Sequence, residues 1–353
     1  MEERTLRILT LMRLQGFGPR RMASLIRAGG VDELYERPRR FRHLIGEPAL
    51  QALENGTARV EATGVYSRAE TKGQSLIVLG SPAYPNSLAA LYDPPSVLFL
   101  RGSLPAGRRR LAIVGARGAT ASGRAFARDL ARGLAASGIE IVSGLARGID
   151  GSAHEGALAA NGTTLAVLGS GVDVIYPSEH EGLAARVVGS GGVLSELPPG
   201  TRPAPSQFPR RNRIIVGLSE GVLVVEAGCK SGALITARVA LDEGRDVLAV
   251  PGRPADPLSH GPNLLIRDGA TLIRGLEDAL EFLELAPAPA AAFLQSPDPI
   301  LQKLANAAVK SVDQLAVDTG LAPPLLIARL SELELDGKIE RLPGTLFRSA
   351  SPA

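Results

Sequence analysis

Ile141-Val-Ser-Gly-Leu-Ala-Arg-Gly-Ile-Asp-Gly-Ser-Ala-His154 is the stretch of this sequence that decides the fold. The apolar segment 139–142 leads directly into a glycine-rich turn that carries one arginine, and a helix is expected to begin near Asp150. A strand followed by such a turn and a helix N-terminus points backbone N–H groups and the positive end of the helix dipole at an anion. No catalytic acid, base or nucleophile is obvious in the stretch. It therefore raises the question whether phosphate is bound here without any bond being cleaved.

Apolar and amphipathic segments alternate over most of the chain. Fully apolar strands that alternate with helices indicate a parallel sheet covered by helices on both faces. We therefore predict a doubly wound, Rossmann-like α/β domain over residues 76–283. Its strands are expected at 76–79, 97–100, 111–114, 139–142, 164–168, 192–194, 222–225 and 247–250, and two of its helices at 122–136 and 152–160.

Residues 1–70 are expected to form a helical domain of the SAM or helix-hairpin-helix type. A first apolar helix ends at Gly16-Phe-Gly18-Pro19, and a second begins at Arg20. A turn of this kind can hold DNA phosphates with its amides, but glycine is also common at helix ends for capping alone. Both interpretations stay open.

The C-terminal part of the chain is predicted to be a linker and a second small domain. Residues 284–298 are rich in proline and alanine, which indicates a semi-rigid linker. Residues 299–353 have the pattern of three helices and a hairpin, as in a winged helix. The expected recognition helix over 322–335 carries Arg329 and two glutamates. Phosphates would be repelled by that face, so we predict a protein contact or a packing role for it.

Composition favours a globular protein with local cationic patches. The chain has 353 residues, 45% of them hydrophobic and 4% aromatic, and a net charge of +3. Arginine (34) far outnumbers lysine (5), which a coding bias explains as well as a need for guanidinium groups, the better partners of phosphate. Seven arginines lie within 108–132 and three within 210–213, and such clusters say more about partners than the net charge does.

The single cysteine, Cys229, excludes a disulfide framework within one chain. The first residues lack a signal-peptide layout, and no apolar run reaches the ~18 residues of a membrane-spanning helix. We expect a cytoplasmic protein with no membrane contact.

Four of the predicted strands are followed by short segments rich in glycine, serine and a basic residue. In doubly wound sheets, ligands bind beyond the carboxyl ends of the strands, and glycine allows the backbone to approach a ligand closely. Four such ends on one edge predict a basic crevice lined by backbone amides, although tight turns also need glycine. The segments are Gly115-Ala-Arg117-Gly118, Ser143-Gly144-Leu-Ala-Arg147-Gly148, Gly169-Ser170-Gly171 and Gly228-Cys-Lys230-Ser231-Gly232.

The segment Phe208-Pro-Arg210-Arg211-Asn212-Arg213 lies between two predicted strands. Its arginines and asparagine can donate to phosphates and base edges, and Phe208 can stack on a base. Phe208 is equally compatible with a core or covering position, and Arg211 with a structural ion pair.

Several motifs of nucleotide-dependent enzymes are missing. The dinucleotide fingerprint does not fit the turn at Gly115, and no phosphate loop with the G-x-x-x-x-G-K-[ST] spacing occurs. Without a second metal-spaced histidine, His154 is expected to be a packed histidine, and Asp150 a helix N-cap. We expect no catalytic residue, no metal and no cofactor.

An ordered set of motifs resembles the DNA-processing protein A family, also called DprA or Smf. The resemblance is dense from about residue 76 to residue 275. The motifs that carry it include Ile113-Val-Gly-Ala-Arg117, Val142-Ser-Gly-Leu-Ala-Arg-Gly-Ile-Asp150, Ala166-Val-Leu-Gly-Ser-Gly171, Ile175-Tyr-Pro177, Phe208-Pro-Arg-Arg-Asn-Arg-Ile-Ile215 and Ser231-Gly-Ala-Leu-Ile-Thr-Ala237.

The resemblance implies a non-enzymatic protein that binds single-stranded DNA in a basic pocket. It also implies protection of incoming strands, loading of the RecA recombinase during natural transformation, and a homodimer formed through the Rossmann-like domain, for which 256–275 is the expected segment. By motif position, Arg117 resembles the family's pocket arginine. The full set expected to bind nucleic acid is Gly115, Arg117, Ser143, Gly144, Arg147, Gly148, Phe208, Arg210, Arg211, Asn212, Lys230, Ser231 and Gly232.

Two segments depart from the family pattern. Ser178-Glu-His180-Glu stands where many members carry an asparagine, and Pro203-Ala-Pro205-Ser lacks the lysine of some relatives. The alternative function is that of related Rossmann-like hydrolases of nucleoside monophosphates. Their Pro-Gly-Gly loop is followed by a glutamate, whereas the equivalent segment 227–234 is followed by no glutamate until Glu243.

Overall fold

The computed structural model describes residues 3–285, 298–304, 309–336, 338–342 and 345–349. The chain divides into two compact units, Met1–Leu285 and Ala286–Ala353. Most of the predicted linker, residues 286–297, lies outside the described residues. Within the described ranges, no helix combines the length and the apolar character that crossing a lipid bilayer requires.

Helices make up the first part of the first unit. α1 (Glu3–Leu11) packs against the long α6 (Thr57–Thr71). In the turn after α1, Gly16 has a φ of +76°, a left-handed conformation that favours glycine. The helices between α1 and α6 are α2 (Pro19–Arg27), α3 (Val31–Glu36), α4 (Arg42–Ile45) and α5 (Glu47–Glu54).

A sheet of nine strands, counted over the described residues, forms the centre of the first unit. Its strand order is β1-β2-β6-β5-β4-β3-β7-β8-β9. The strands are β1 (Ser75–Val78), β2 (Val97–Gly102), β3 (Arg110–Val114), β4 (Glu140–Ser143), β5 (Thr164–Val167), β6 (Gly192–Ser195), β7 (Gly221–Val224), β8 (Asp246–Ala249) and β9 (Thr271–Leu272). All eight predicted strands are present, and the mostly parallel α/β architecture is confirmed.

One edge of the sheet departs from the expected parallel arrangement. β2 runs antiparallel to both β1 and β6, whereas the neighbours from β6 to β9 are all parallel. An apolar run shows that a strand is buried but carries no information about its direction. At the other edge, β9 was not predicted because two residues give no periodic signal.

Helices cover both faces of the sheet. The side chains of β3 accordingly alternate between two hydrophobic cores, one on each face. Leu111 and Ile113 belong to the cluster that includes residues of α8 (Ala121–Ala136), α9 (Ile149–Ala159) and α14 (Leu276–Phe282). Ala112 and Val114 belong to the cluster that includes the N-terminal helices. The remaining helices are α7 (Asn86–Ala89), α10 (Glu181–Ser190), α11 (Gln207–Leu218), α12 (Gly232–Asp242) and α13 (His260–Arg267).

The strand order reverses between β3 and β7. From β3 the chain proceeds through β4 and β5 to β6 on one side, and from β7 through β8 to β9 on the other. In open α/β sheets, ligands bind outside the carboxyl ends of the strands at such a switch point. The ends of these two strands, Val114 and Val224, therefore mark where a ligand site is expected.

The second unit is a winged helix, as predicted. Its core includes Ile300, Leu315, Leu326 and Phe347. The predicted hairpin is present, but its turn at Pro343-Gly344 lies outside the described residues. The elements are α15 (Pro299–Lys303), β10 (Lys310–Ser311), α16 (Val312–Thr319), α17 (Pro323–Leu335), β11 (Ile339–Leu342) and β12 (Leu346–Ser349), with strand order β10-β12-β11.

Candidate nucleic-acid interface

A cavity of about 450 Å³ lies beyond the carboxyl ends of β3 and β7, at the switch point. We call it the strand-end pocket. The turn after β3, the first turn of α9, one face of α11 and the N-terminus of α12 form its walls. Of the residues predicted to bind a ligand, those that line it are Gly115, Arg117, Phe208, Arg211, Asn212, Lys230, Ser231 and Gly232.

A narrower cleft adjoins the strand-end pocket and brings in the glycine-rich turn after β4. Gly144 and Arg147 line this cleft together with Tyr176. The cleft shares Arg117, Phe208 and Arg211 with the strand-end pocket. Ten of the thirteen predicted residues are thus brought together around two connected spaces.

The three other predicted residues, Ser143, Gly148 and Arg210, line neither space. Ser143 is the last residue of β4, and its buried hydroxyl donates to the carbonyl oxygen of Ile113 at 2.6 Å. Arg210 is exposed on α11, with its guanidinium 3.8 Å from the carboxylate of Glu196. Ser143 therefore acts within the sheet, and Arg210 points along another face of α11.

Gly148 holds the turn after β4 against the turn after β3. Its φ is +75°, and a Cβ there would clash with the carbonyl oxygens of Ala116 and Arg117, so glycine is required. The backbone N–H of Ile149 donates to the carbonyl oxygen of Ala116 at 3.3 Å. The turns that carry Arg117 and Arg147 are thereby fixed next to each other.

Arg211 is buried at the base of the strand-end pocket and is bonded mainly to the backbone. Its guanidinium donates to the carbonyl oxygens of Gly144, at 2.8 Å, and Val167. Its Nε donates to Oδ1 of Asn212 at 3.2 Å. Burial lowers the pKa of Arg211 to about 10, and the negative charge of Asp150 opposes that shift. Arg211 therefore ties the ends of β4 and β5 to α11.

Asp150 lies in the first turn of α9, and Gly148 is the N-cap. The expectation that Asp150 caps this helix is therefore wrong. Its carboxylate turns inward, accepts the backbone N–H of Gly144 at 3.1 Å and lines the strand-end pocket. Burial raises the pKa of Asp150, although Arg211 and the N–H groups of the turn oppose the shift. Its role is to close the glycine-rich turn.

Arg117 and Phe208 form the boundary between the strand-end pocket and the cleft. The guanidinium carbon of the exposed Arg117 lies 5.1 Å from the centroid of the Phe208 ring, within cation–π range. The rings of Phe208 and Tyr176 are 5.9 Å apart and inclined by 42°. Phe208 is half-buried, so it is a wall of the site rather than a core residue. Tyr176 was not among the residues expected to bind nucleic acid, although it lies in Ile175-Tyr-Pro177, one of the motifs that carry the family resemblance.

Lys230 and Arg147 are two further cations of the site, and they differ in whether a carboxylate lies beside them. Lys230 is exposed just before the N-terminus of α12. Arg147 is also exposed but forms an ion pair with Glu179. The hydrogen bond between them raises the pKa of Arg147 and lowers the pKa of Glu179. A phosphate that binds Arg147 therefore competes with this carboxylate.

The arginine cluster over 108–132 is not one surface. Arg109 and Arg110 lie at the amino end of β3, opposite the strand-end pocket. Nε of Arg110 is buried 2.6 Å from a carboxylate oxygen of Glu140, and Nε of Arg109 donates to Glu220 at 3.0 Å. These two arginines are structural.

Candidate acid–base groups near the pocket take part in structural hydrogen bonds. Glu226 accepts the backbone N–H of Thr120 at 2.8 Å and its hydroxyl at 2.5 Å, at the start of α8. Nδ1 of His154 lies 2.7 Å from the hydroxyl of Thr164, and burial lowers the pKa of His154 to about 3. His154 is therefore a packed histidine, as predicted. Over the described ranges, no cluster of three or more His, Cys, Asp or Glu side chains could hold a metal ion.

Two family models match the chain, one for each compact unit. The model of "DNA recombination-mediator protein A" matches residues 75–284. The model of the "DprA winged helix domain" matches residues 284–345. Together they cover the nine-stranded sheet, the residues that line the strand-end pocket and the cleft, and the winged helix up to residue 345.

Relatives of known sequence match over most of the chain. Protein Smf of Escherichia coli is 45% identical over 294 residues, which are 79% of this chain and 78% of that protein. DNA processing protein DprA of Bacillus subtilis is 46% identical over 214 residues, which are 60% of this chain and 72% of that protein.

Two solved structures extend the likeness to three dimensions. DNA processing protein A from Streptococcus pneumoniae superposes with a TM-score of 0.68 at 33% identity, over 80% of this chain and 98% of that one. DNA processing protein A from Helicobacter pylori, described for its unique single-stranded DNA binding mode, gives a TM-score of 0.54 at 30% identity, over 60% of this chain and 95% of that one.

Proposed function

Because the chain belongs to the DNA recombination-mediator protein A family, we propose that it binds single-stranded DNA in the strand-end pocket. One observation carries the proposal. The exposed Arg117 and Lys230, backbone turns from two strand ends and the N-terminus of α12 converge on one cavity at the switch point of the sheet. The role that follows is DNA processing in natural transformation and recombination.

The pocket has one surface rich in cations and N–H donors and one aromatic surface, and together they suit a single strand. The cations, the turn amides and the N-terminus of α12 attract phosphates. Phe208 offers a ring face on which an unpaired base can stack. In a duplex the base faces are already stacked on one another, so they do not reach Phe208. The single-stranded DNA binding described for the Helicobacter pylori relative supports the same ligand.

The proposed function is binding without cleavage. A hydrolase acting in this pocket would need an available acid or base, but Glu226 is occupied in holding Thr120. Asp150 accepts a backbone N–H of the turn that it closes. These contacts favour a binding protein over a nucleoside-monophosphate hydrolase.

We extend the proposal to a homodimer that protects incoming strands and loads the RecA recombinase, as the family resemblance implies. The dimer has support in the first unit. A groove of about 700 Å³ lies between α12, α13 and the edge strand β9. Its lining includes three apolar side chains that are 41–62% exposed, Ile235, Leu241 and Leu264. This groove includes part of the expected segment 256–275.

The DNA-binding proposal is tested by titrating labelled single-stranded oligonucleotide, and duplex of the same sequence, at several salt concentrations. We expect tighter binding of the single strand, with a logarithmic salt slope of roughly −0.7 per neutralised phosphate. Equal affinity for the duplex at every salt concentration would contradict it. Release of free base from nucleoside monophosphates, if lost in Glu226→Ala, would instead support the hydrolase.

The dimer is tested by analytical ultracentrifugation of the full chain. Leu264→Arg, in the groove, is expected to give the monomer mass. Val60→Arg is the matched control, because Val60 is 73% exposed on α6 and away from the groove. A dimer mass for Leu264→Arg, or a monomer mass for the unchanged chain, contradicts this arrangement.

A further inference from the structure

A third space, of about 430 Å³, adjoins the strand-end pocket and shares Arg117 and Phe208 with it. We call it the proline-lined cavity. Its other walls include Tyr176 and three prolines, Pro203, Pro205 and Pro209. Among the described residues that line it, Arg117 is the one that carries a charge. The cavity is therefore apolar and aromatic, with a single cation at its junction with the strand-end pocket.

The two loops that enclose the cavity are tied to each other by hydrogen bonds. Asp173, three residues before Tyr176, accepts the backbone N–H of Gly200 at 2.9 Å. The backbone N–H of Gly171 donates to the carbonyl oxygen of Thr201 at 2.9 Å. These bonds fix the loop that carries Tyr176 against the segment that leads to Pro203.

The proline segment is in turn fixed to α11. The backbone N–H of Ala204 donates to Oε1 of Gln207 at 2.8 Å, and the backbone N–H of Gln207 donates to the carbonyl oxygen of Ala204 at 3.0 Å. Proline rings also restrict the backbone around Ala204. Because the walls are already in place, a ligand that enters loses little affinity to the ordering of loops.

The chemistry of these walls favours an uncharged ligand with a flat aromatic face. The Tyr176 side chain is 42% exposed, and its ring diverges by 42° from that of Phe208. A phosphate would find only Arg117 in this cavity and no backbone turn of the kind that surrounds the strand-end pocket. A nucleobase has a π-face that stacks on aromatic rings whatever its sequence.

We propose that the proline-lined cavity holds one base of the single strand whose phosphates occupy the strand-end pocket, and that Tyr176 is the stacking surface for that base. The proposal rests on the proposed function. Arg117, shared by both spaces, then meets the phosphate between the base at Tyr176 and the nucleotide in the strand-end pocket. The site is thereby extended to at least two consecutive nucleotides.

The test is a set of titrations with oligothymidine strands, each with one abasic residue at a different position, using the full-length protein. One abasic position is expected to lower the affinity of the unchanged protein about tenfold. Tyr176→Ala is expected to cause a similar loss with intact strands and to remove the penalty of that abasic position, because the two changes delete one interaction. Tyr176→Phe should keep the affinity.

The salt dependence separates this proposal from the proposed function. Tyr176→Ala should leave the salt slope unchanged, because stacking releases no counterions. The control is Tyr92→Ala, which removes a 69% exposed tyrosine that lines neither space; it should bind as the unchanged protein does. If Tyr176→Ala keeps full affinity, or keeps the abasic penalty, the base subsite is excluded. Loss of all single-strand binding in the unchanged protein would instead exclude the proposed function.

Discussion

The guanidinium carbon of Arg117 lies 5.1 Å from the centroid of the Phe208 ring. This contact joins the turn after β3 to the first turn of α11, two segments that are far apart in the sequence. The ring both positions the cation by cation–π attraction and forms a wall of three adjoining spaces. Phe208 is therefore expected to act on phosphate binding as well as on base stacking.

Replacement of Phe208 by leucine tests this double role. Leucine keeps apolar volume but removes the π-face, so we expect single-strand affinity to fall about tenfold. The salt slope should also become shallower, because Arg117 loses the surface that positions it. Fluorescence anisotropy at several salt concentrations measures both effects.

Tyr92→Leu is the control for this variant. The guanidinium carbon of Arg20 lies 4.6 Å from the centroid of the Tyr92 ring, so this ring also makes a cation–π contact. Tyr92 lines none of the three spaces. We expect no change in single-strand binding. An equal loss in Tyr92→Leu and Phe208→Leu would show that the effect is not specific to the three spaces that Phe208 lines.

Glu179 is expected to weaken single-strand binding by competing for Arg147. Glu179→Gln removes the negative charge, so Arg147 becomes available to phosphate. Because both side chains are about half exposed, we expect an increase in affinity of only roughly twofold, largest at low salt. Arg147→Ala should have the opposite effect. Weaker binding by Glu179→Gln would show that the ion pair positions Arg147 instead of competing for it.

His154 gives the first unit a predictable dependence of stability on pH. The folded protein keeps His154 neutral down to a pKa of about 3, whereas an unfolded histidine titrates near ~6.5. Between these values the unfolded chain binds the extra proton. The free energy of unfolding therefore falls as the pH falls, by up to ~1.4 kcal/mol per pH unit.

In urea denaturation between pH 7 and pH 5, His154→Gln should make this dependence shallower, by an amount that grows to about one proton at pH 5. His43→Gln is the matched control, since His43 is exposed on α4, and it should leave the slope unchanged. An unaltered slope in His154→Gln would mean that His154 takes up its proton in the folded state as it does in the unfolded chain.

The winged helix is expected to contribute little to DNA binding through its recognition helix α17. Nε of Arg329 is 2.8 Å from the carboxylate of Asp298, and its Nη1 is 2.6 Å from that of Glu332, so two carboxylates already engage the guanidinium. Arg329→Glu should change duplex and single-strand affinity by less than about twofold, as expected for exposed charges. A tenfold loss of duplex affinity would show that α17 contacts DNA.

The sequence predicted the positions of the strands well because buried parallel strands are short apolar runs, which the chain shows clearly. It did not predict the reversed direction of β2, since apolar composition is the same for either direction. It also misplaced Ser143, because β4 extends one residue further than the apolar run and draws that hydroxyl into the sheet.

The positions of two side chains, Asp150 and Tyr176, depend on backbone geometry that was not predicted from the sequence. The positive φ of Gly148 makes this residue the N-cap and leaves Asp150 in the first turn, bonded to Gly144. Tyr176 reaches the site only because the loop after β5 folds back and is tied to Gly200 through Asp173. By contrast, Arg117 and Lys230 lie in the segments that follow β3 and β7, and the rule for strand ends was enough to predict that these segments line one cavity.

The most direct test of the central claim, that the strand-end pocket holds the phosphates of a single strand, compares Arg117→Ala with Arg108→Ala. Arg117 follows the carboxyl end of β3 and Arg108 precedes its amino end, and both are exposed. The measurement is the logarithmic slope of single-strand affinity against salt concentration. We predict that Arg117→Ala lowers affinity and reduces the slope by about 0.7 per lost phosphate contact, whereas Arg108→Ala changes neither. An unchanged slope and affinity in Arg117→Ala, or equal losses in both variants, would contradict the account.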